Sequence, residues 1–332
     1  MCENIKGETK TDEQPKEYPL MYVRGFAFPG LFQPDDIEKV LDFKPRDTDI
    51  FVVTYPKCGT TWSQFIVWEI LNKGAIPPSP NAMMFKHFPF LEVTGVDDLE
   101  NHPPPRPLKT HLPYNLQPYN SSAKYIYITR NPYDCCVSYF YHLQMDNWNP
   151  KLSFSEHVEA FTSGKIPFGD FFDHVLSWYK HRNEPNILFL TYEGMKRNKK
   201  ETILKIAKFL GENYYKDLQD EKVMENCLKY SDFQYMKELG MFFPDLPEKD
   251  RSLELDREKM KAMLKGLALP DKRIGNTENF KEQNFFRKGE IGDWKNHFSR
   301  EDIKKFNEYV IRKLKNTDME NYWLLADEET SF

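Results

Sequence analysis

The sequence predicts an α/β fold with a central parallel sheet flanked by helices, and three observations agree on it. Four short strand-like runs, three of them rich in apolar β-branched and aromatic residues, alternate with segments whose apolar residues recur at helical spacing. Turn and capping signals separate the runs, and no internal repeat interrupts the alternation. With 332 residues, of which 40% are hydrophobic, the chain has the apolar material that such a core requires.

The four strands are predicted in chain order from these runs. They cover residues 49–55, 108–112, 124–129 and 186–192. Strands buried on both faces of a parallel sheet are short and almost continuously apolar, as the first, third and fourth segments are. The second segment, LKTHL, is bounded by two leucines and stops before Pro113. Strands that alternate with helices in this way indicate helices on both faces of the sheet.

The helices are predicted from apolar spacing and from capping residues. One covers residues 60–73, and another begins at Pro132 with Asn131 as its N-cap. Ser153 and Ser299 each precede an acidic residue by three positions, which is the pattern of a capping box. Each of these two serines is therefore expected to open a helix.

Composition and punctuation set the domain organisation. Residues 1–18 are polar and predict a flexible tail, and residues 19–332 are expected to form a single domain. The proline-rich stretches 77–80 and 103–107 are predicted to lie outside the interiors of helices and strands, since proline lacks a backbone N–H.

The charge balance and the cysteines exclude several classes of protein. The chain has 46 Lys and Arg against 51 Asp and Glu, a net charge of −5, which argues against a nucleic-acid binder with a broad basic face. No apolar run is long enough for a membrane span, and no signal-peptide pattern is present. Five cysteines without a C-x-x-C pair favour a reducing, cytoplasmic location and no disulfide framework or zinc site.

The segment Thr54–Trp62, TYPKCGTTW, follows the first strand and opens a helix. Backbone N–H groups at a helix N-terminus, together with Lys57 and two threonine hydroxyls, predict a cradle for an anion. It is not a Walker A loop, because Lys57 precedes the single Gly59 instead of following a second glycine. A plain strand-to-helix turn with a surface lysine is the alternative interpretation.

Three further groups of residues carry chemistry. Lys109 and His111 are two positions apart on the second predicted strand, so their side chains share one face. Two polar, titratable side chains on one face favour the mouth of a pocket over a core position. Arg130 ends the third strand, with Ser138 two turns into the next helix, and is suited to hold a phosphate. Residues 287–292 add adjacent Arg and Lys before a glycine and predict a second phosphate clamp. Each group also has a structural interpretation when taken singly: His111 as a structural histidine, Arg130 as part of a surface ion pair, and residues 287–292 as a solvated turn.

Together with Thr191-Tyr192-Glu193, these segments resemble the cytosolic sulfotransferases in order and spacing over residues 35–315. The resemblance implies a P-loop nucleotide-kinase-like fold. It also implies transfer of a sulfuryl group from 3′-phosphoadenosine 5′-phosphosulfate (PAPS) to a hydroxyl or amine of a small, usually lipophilic acceptor, with 3′-phosphoadenosine 5′-phosphate (PAP) as product. The aromatic residues that border the expected acceptor site favour the hydroxyl of a small aromatic molecule, and no metal is expected because no carboxylate pair lies beside the cradle. A phenol or a phenolic monoamine such as dopamine or octopamine is the expected acceptor.

The resemblance also assigns the site, residue by residue. The residues expected to hold the donor are Lys57, Cys58, Gly59, Thr60, Thr61, Trp62, Arg130, Ser138, Tyr192, Ser231, Phe233, Arg287, Lys288 and Gly289. The catalytic group is His111 as general base, with Lys57, Lys109 and Ser138. The acceptor is expected to meet Phe28, Phe85, Phe90, Lys109, His111, Asp146, Phe168 and Phe242.

Two of these positions carry further expectations. Cys58 stands where serine is common in the family, and we expect a partly exposed, oxidisable thiol there. Asp146 is expected either to pair with the ammonium of a monoamine acceptor or to be a solvated charge at a helix end.

Several alternatives remain from the sequence. The acceptor alternatives are a steroid and an aliphatic alcohol. The class alternatives are a P-loop nucleotide kinase and a non-catalytic nucleotide-binding protein, and a carbohydrate sulfotransferase is disfavoured because no signal anchor is present.

The assembly state is predicted from the family's usual dimer motif, K-x-x-x-T-V-x-x-x-E, which falls on residues 295–304. Here Arg300 replaces its valine and Lys304 its glutamate. We therefore predict a monomer, or a dimer that does not use this motif, with a small-molecule acceptor and neither nucleic acid nor membrane as a partner.

Overall fold

The computed structural model describes residues 17–78, 82–145, 152–239, 286–320 and 323. Two short strands, β1 (Leu20–Val23) and β2 (Phe26–Pro29), form an antiparallel hairpin. Four parallel strands form the central sheet, in the spatial order β4-β3-β5-β6: β3 (Asp49–Thr54), β4 (Arg106–Thr110), β5 (Lys124–Thr129) and β6 (Ile187–Thr191).

Helices connect and cover the strands. They are α1 (Pro34–Asp42), α2 (Thr60–Leu71), α3 (Leu91–Thr94), α4 (Pro132–Met145), α5 (Phe154–Ser163), α6 (Phe171–Tyr179), α7 (Tyr192–Arg197), α8 (Lys199–Leu210), α9 (Glu212–Asp217), α10 (Glu221–Tyr230), α11 (Phe233–Leu239) and α12 (Arg300–Leu314). Among the described residues, no helix has the length and apolar character of a membrane span.

The hydrophobic core lies on both faces of the sheet. Phe51 and Val53 of β3 pack in a cluster with α4, α5, α6 and α12, whereas Ile50 and Val52 pack in a second cluster with α2, α8 and α10. Successive residues of a strand point to opposite faces, so these apolar runs bury both sides at once. The predicted α/β fold with a flanked parallel sheet is therefore confirmed.

The local signals that punctuate the chain are also confirmed. The Asn131 side chain accepts a hydrogen bond from the Tyr133 N–H at 3.0 Å, as an N-cap of α4 should. Ser153 and Ser299 form the capping boxes of α5 and α12. The helix predicted over residues 60–73 ends two residues earlier, at Leu71.

The prediction around Pro107 is wrong. Strand β4 covers Arg106–Thr110, so Pro107 lies inside a strand and His111 lies just beyond it. Because β4 is the edge strand of the described sheet, it tolerates a residue without an N–H to donate. Sequence analysis also missed the β1–β2 hairpin.

The N-terminal tail remains a prediction because residues 1–16 lie outside the described part of the chain. Its last residue, Tyr18, is buried, and its hydroxyl hydrogen bonds to Nδ1 of His157 at 2.7 Å. The chain is therefore anchored at Tyr18.

Candidate active site

The carboxyl ends of the four parallel strands meet at one edge of the sheet, and each is followed by a residue of the candidate site. Lys57 follows β3, His111 follows β4, Arg130 follows β5, and Tyr192 follows β6. Open α/β sheets bind their ligands at this edge.

The loop between β3 and α2 has two residues with left-handed backbone conformation. The φ angles are 68° at Lys57 and 98° at Gly59. Gly59 is the N-cap of α2, and no side chain caps this helix end. The first N–H groups of α2 are consequently available to an anionic ligand, which the helix dipole also favours.

Arg130 connects this loop to two other parts of the site. Its guanidinium lies 4.5 Å from the ring centroid of Tyr192. It donates to the backbone oxygen of Lys57 at 3.3 Å and to that of Glu290 at 3.0 Å. Its Nε–H is buried and has no hydrogen-bond partner among the described residues.

The segment after residue 286 brings a second pair of cations to the same place. Arg287 and Lys288 each form an ion pair of 2.5 Å with the buried carboxylate of Asp293. These contacts hold the pKa of Asp293 far below its ordinary range. The Nε–H of Arg287 is buried without a partner in the described ranges.

Aromatic rings contact both Arg130 and the segment that carries Arg287 and Lys288. The Trp62 indole donates to the backbone oxygen of Ser231 at 2.9 Å, and its ring meets that of Tyr192 edge-on at 5.4 Å. The Tyr192 hydroxyl donates to the backbone oxygen of Gly289 at 3.0 Å. A Cβ added at Gly289 would lie 2.5 Å from the Phe233 ring, so only glycine permits this approach.

His111 is held between aromatic and polar groups on the other side of the loop. Its Nδ1 lies 2.8 Å from the backbone oxygen of Thr54. Its ring meets those of Phe90 and Phe168 edge-on, with centroids 5.0 and 5.1 Å away. The Nζ of Lys109 lies 3.9 Å from the Phe90 centroid.

The protonation of this pair follows from burial. Burial, and then the charge of Lys109, lower the pKa of His111 well below its ordinary value. Burial lowers the pKa of Lys109 to about 8. At neutral pH the arrangement therefore presents a neutral imidazole beside a protonated lysine.

A family model described as "Sulfotransferase domain" matches residues 47–268 and 250–318. The chain is 36% identical over 303 residues to amine sulfotransferase of Oryctolagus cuniculus, covering 89% of this chain and 90% of the relative. It is 33% identical over 322 residues to sulfotransferase 1C2 of Homo sapiens, covering 93% and 97%. The chain belongs to the sulfotransferase family. The resemblance that the motifs carried is confirmed, and the protein is a sulfotransferase enzyme.

Solved structures agree with this sulfotransferase assignment. Mouse sulfotransferase SULT7A1 complexed with PAP matches with a TM-score of 0.66 at 27% identity, over 92% of this chain and 98% of that one. Retinol dehydratase in a complex with retinol and PAP matches with a TM-score of 0.68 at 25% identity, over 91% and 92%.

The acceptor side of this sulfotransferase is described only in part. Phe28 meets Phe168 edge-on at 6.2 Å, and Phe168 and Phe90 meet His111. The side chain of Phe85 and all of Asp146 and Phe242 lie outside the described residues. Ser138 lies half-buried on α4.

The expectation for Cys58 is wrong. Its thiol is fully buried, 3.7 Å from the Sγ of Cys135, and burial raises its pKa well above the ordinary value. A thiol without solvent access or thiolate character resists oxidation. Ser231, predicted for the adenine site, is also fully buried, and its hydroxyl donates to the Cys227 oxygen at 2.5 Å.

Sequence reasoning missed three residues that hold the sulfotransferase site together: Thr54, Glu92 and Asp293. Asp293 directly follows the predicted clamp of residues 287–292, where an acid five or six residues after two adjacent cations was a usable signal. Thr54 contacts both Thr60 and His111 through its Oγ1, at 2.6 and 3.3 Å. Within the described ranges, no group of three or more His, Cys, Asp or Glu is arranged to hold a metal ion.

Proposed function

We propose that this sulfotransferase uses PAPS as donor, releases PAP and modifies the hydroxyl of a small aromatic acceptor. The observation that carries the donor assignment is the pair of buried Nε–H groups of Arg130 and Arg287, which lack partners among the described residues. An unsatisfied buried donor costs about 1–3 kcal/mol, so an acceptor group is expected here. A phosphate fits, and two solved relatives were complexed with PAP.

The residues around Lys57 fit the other end of the donor. The uncapped start of α2 and the threonine hydroxyls suit the 5′-phosphosulfate, and Arg130, Arg287 and Lys288 suit the 3′-phosphate. PAPS, when bound, supplies the electrophilic sulfur. ATP and ADP have no 3′-phosphate, which disfavours the kinase alternative.

His111 is proposed as the general base because its hydrogen bonding fixes the tautomer. Nδ1 donates its proton to the Thr54 oxygen, which leaves the lone pair of Nε2 for the acceptor hydroxyl. As the acceptor oxygen forms its bond to sulfur in line, Nε2 takes the hydroxyl proton. The bond between sulfur and the bridging phosphate oxygen breaks, and Lys57 and Lys109 stabilise the charge on that oxygen.

The proposed acceptor is a phenol or a phenolic monoamine such as dopamine or octopamine. Phe28, Phe90 and Phe168 supply apolar walls near the imidazole of His111, as a planar aromatic alcohol requires. The similarity to an amine sulfotransferase supports a nitrogen-containing acceptor. A steroid or an aliphatic alcohol is the alternative.

Calorimetric titration with PAP and with ADP, without metal, tests the donor assignment. We expect tight binding of PAP and weak binding of ADP. Arg130→Gln should weaken PAP binding roughly 10- to 100-fold, because it removes a charge-assisted hydrogen bond. Arg24→Gln, which removes an exposed ion pair with Glu38, is the matched control. Equal affinity for PAP and ADP, or a requirement for Mg²⁺, would contradict the proposal.

The acceptor is tested by comparing dopamine with an uncharged phenol. Asp146→Ala should raise the KM for dopamine and leave that for the phenol unchanged, whereas Asp97→Ala, an exposed acid paired with Lys39, should change neither. A dopamine KM that does not respond to Asp146→Ala refutes the ammonium contact. A higher kcat/KM for a steroid or an aliphatic alcohol than for any phenol would favour the alternative acceptor. The cytoplasmic location stays a prediction.

A further inference from the structure

We propose that Glu92 is a positioning residue that holds the end of β4, and with it His111 and Lys109, in the geometry that sulfuryl transfer needs. This inference rests on the proposed function. Glu92 belongs to the short helix α3, and none of the sequence motifs includes it.

At the end of β4, the Glu92 carboxylate takes the place of a neighbouring strand as a hydrogen-bond acceptor. Its Oε1 accepts the backbone N–H of His111 at 2.6 Å and the hydroxyl of Thr110 at 3.0 Å. The Thr110 hydroxyl in turn accepts the N–H of Leu112 at 3.1 Å. One buried carboxylate thus organises the last residue of β4 and the two residues after it, at a point where β4 lies at the edge of the described sheet.

The segment that carries Glu92 is fixed to β4 by its backbone. The N–H of Lys109 donates to the oxygen of Pro89 at 2.8 Å, and Phe90 pairs with Lys109 as an isolated parallel bridge. This register sets the carboxylate of Glu92 against Thr110 and His111. The same segment presents the Phe90 ring to both His111 and Lys109.

His111 is therefore held from three directions. Glu92 binds its N–H, the Thr54 oxygen faces its Nδ1, and Nε2 of His174 lies 3.0 Å from its backbone oxygen. Because the backbone oxygen of His111 can only accept, the proton of the neutral His174 ring resides on Nε2, and the Nδ1 of His174 accepts the Tyr127 hydroxyl. Of Glu92, the Thr54 oxygen and His174, only Glu92 also raises the pKa of Lys109.

The charge of Glu92 matters because the cationic Lys109 lies near it. Burial raises the pKa of Glu92 to about 7, while the His111 N–H, the Thr110 hydroxyl and Lys109 oppose that rise. Glu92 in turn raises the pKa of Lys109, which burial lowers to about 8. Besides burial, the groups that lower the pKa of His111 are Lys109 on β4, His174 on α6 and His142 on α4. Burial, Lys57 and Lys109 in turn lower the pKa of His142.

Two variants separate the hydrogen bonds from the charge. Glu92→Gln keeps an acceptor for His111 and Thr110 but removes the charge. We expect its high-pH loss of kcat to move to lower pH by on the order of one unit, since an opposite charge beside Lys109 is gone. Glu92→Leu removes the acceptor, and a misplaced base should lower kcat roughly 10- to 100-fold with the PAP Kd unchanged.

Glu69→Gln is the matched control, because Glu69 is a fully buried carboxyl on α2 that makes no hydrogen bond to a described residue. It should leave kcat and its pH profile unchanged. An unaltered pH profile in Glu92→Gln overturns the inference, whatever Glu92→Leu does to folding. A wild-type enzyme that neither binds PAP nor transfers sulfate refutes the proposed function instead, so the two failures are distinguishable.

Discussion

At the scale of single residues, the pKa values of His111 and Lys109 set the pH dependence of activity. Because the pKa of His111 is held well below its ordinary 6.5, the base stays unprotonated, and we expect activity to persist below that pH. Lys109 loses its proton as the pH rises through about 8, so the rate should fall there. Initial rates with an acceptor that does not titrate in this range check both limbs. A fall in rate already at pH 6.5 would contradict the expected acid limb.

Gly59 is predicted to be irreplaceable in the donor loop for two physical reasons. Its φ is 98°, and a Cβ there would lie 2.8 Å from the Tyr192 ring. Gly59→Ala should therefore displace Tyr192 or the loop and abolish measurable PAP binding in a calorimetric titration. Gly25→Ala is the control, since Gly25 has φ 77° with nothing within 4 Å of an added Cβ. That variant should lose only the roughly 1–2 kcal/mol of left-handed strain and still bind PAP.

Sequence could identify site residues that lie next to predicted strands, but not those whose surroundings depend on tertiary packing. Lys57 and Arg130 were found because they directly follow predicted strands, where a parallel sheet collects its ligands. The burial of Cys58 was not accessible, because it depends on how α4 packs Cys135 against the loop. Glu92 had no local signal, since its role arises from a pairing of distant segments.

At the scale of elements, β3, β5 and β6 were predictable because each reads as an almost continuous apolar run, as a strand buried on both faces does. Strand β4, which contains Arg106, Pro107 and Lys109, was predicted only from residue 108 onward. The β1–β2 hairpin was not, because its strands have four residues each and only Arg24 and Gly25 between them. Pro107 misled the prediction because its tolerance depends on β4 being an edge strand, and strand order is a property of the whole sheet.

The capping box of α12 is predicted to contribute measurably to stability. The Ser299 Oγ accepts the N–H of Asp302 at 3.1 Å, at the start of a helix that buries Phe306 and Val310. Ser299→Ala should lower the free energy of unfolding by about 1 kcal/mol, measured from the midpoint of urea denaturation. Ser122→Ala, at an exposed loop position, should have no effect. An equal midpoint for the two variants would refute the contribution of the cap.

At the scale of the whole molecule, the site depends on the convergence of four strand ends and of the distant segment 286–292. Parallel strands share one carboxyl edge, so sequence analysis could predict that residues after β3, β4 and β5 meet. It could not derive from physical reasoning that Arg287 and Lys288 return to this edge, and only the resemblance implied it. The places of Asp146 and Phe242 in the acceptor site stay predictions.

The assembly state is the property of the whole chain that the dimer motif predicts. Arg300 and Lys304 are exposed on the first turns of α12, where the family's motif has a valine and a glutamate. Two copies joined through this segment would bring like charges together in place of an apolar contact and an ion pair, so we expect a monomer by size-exclusion chromatography with light scattering. Arg300→Val combined with Lys304→Glu restores the motif and should shift the protein towards a dimer. Lys305→Glu, which makes the same charge change as Lys304→Glu at the next residue, should not. A wild-type dimer that neither variant alters would mean that the subunits associate through another surface.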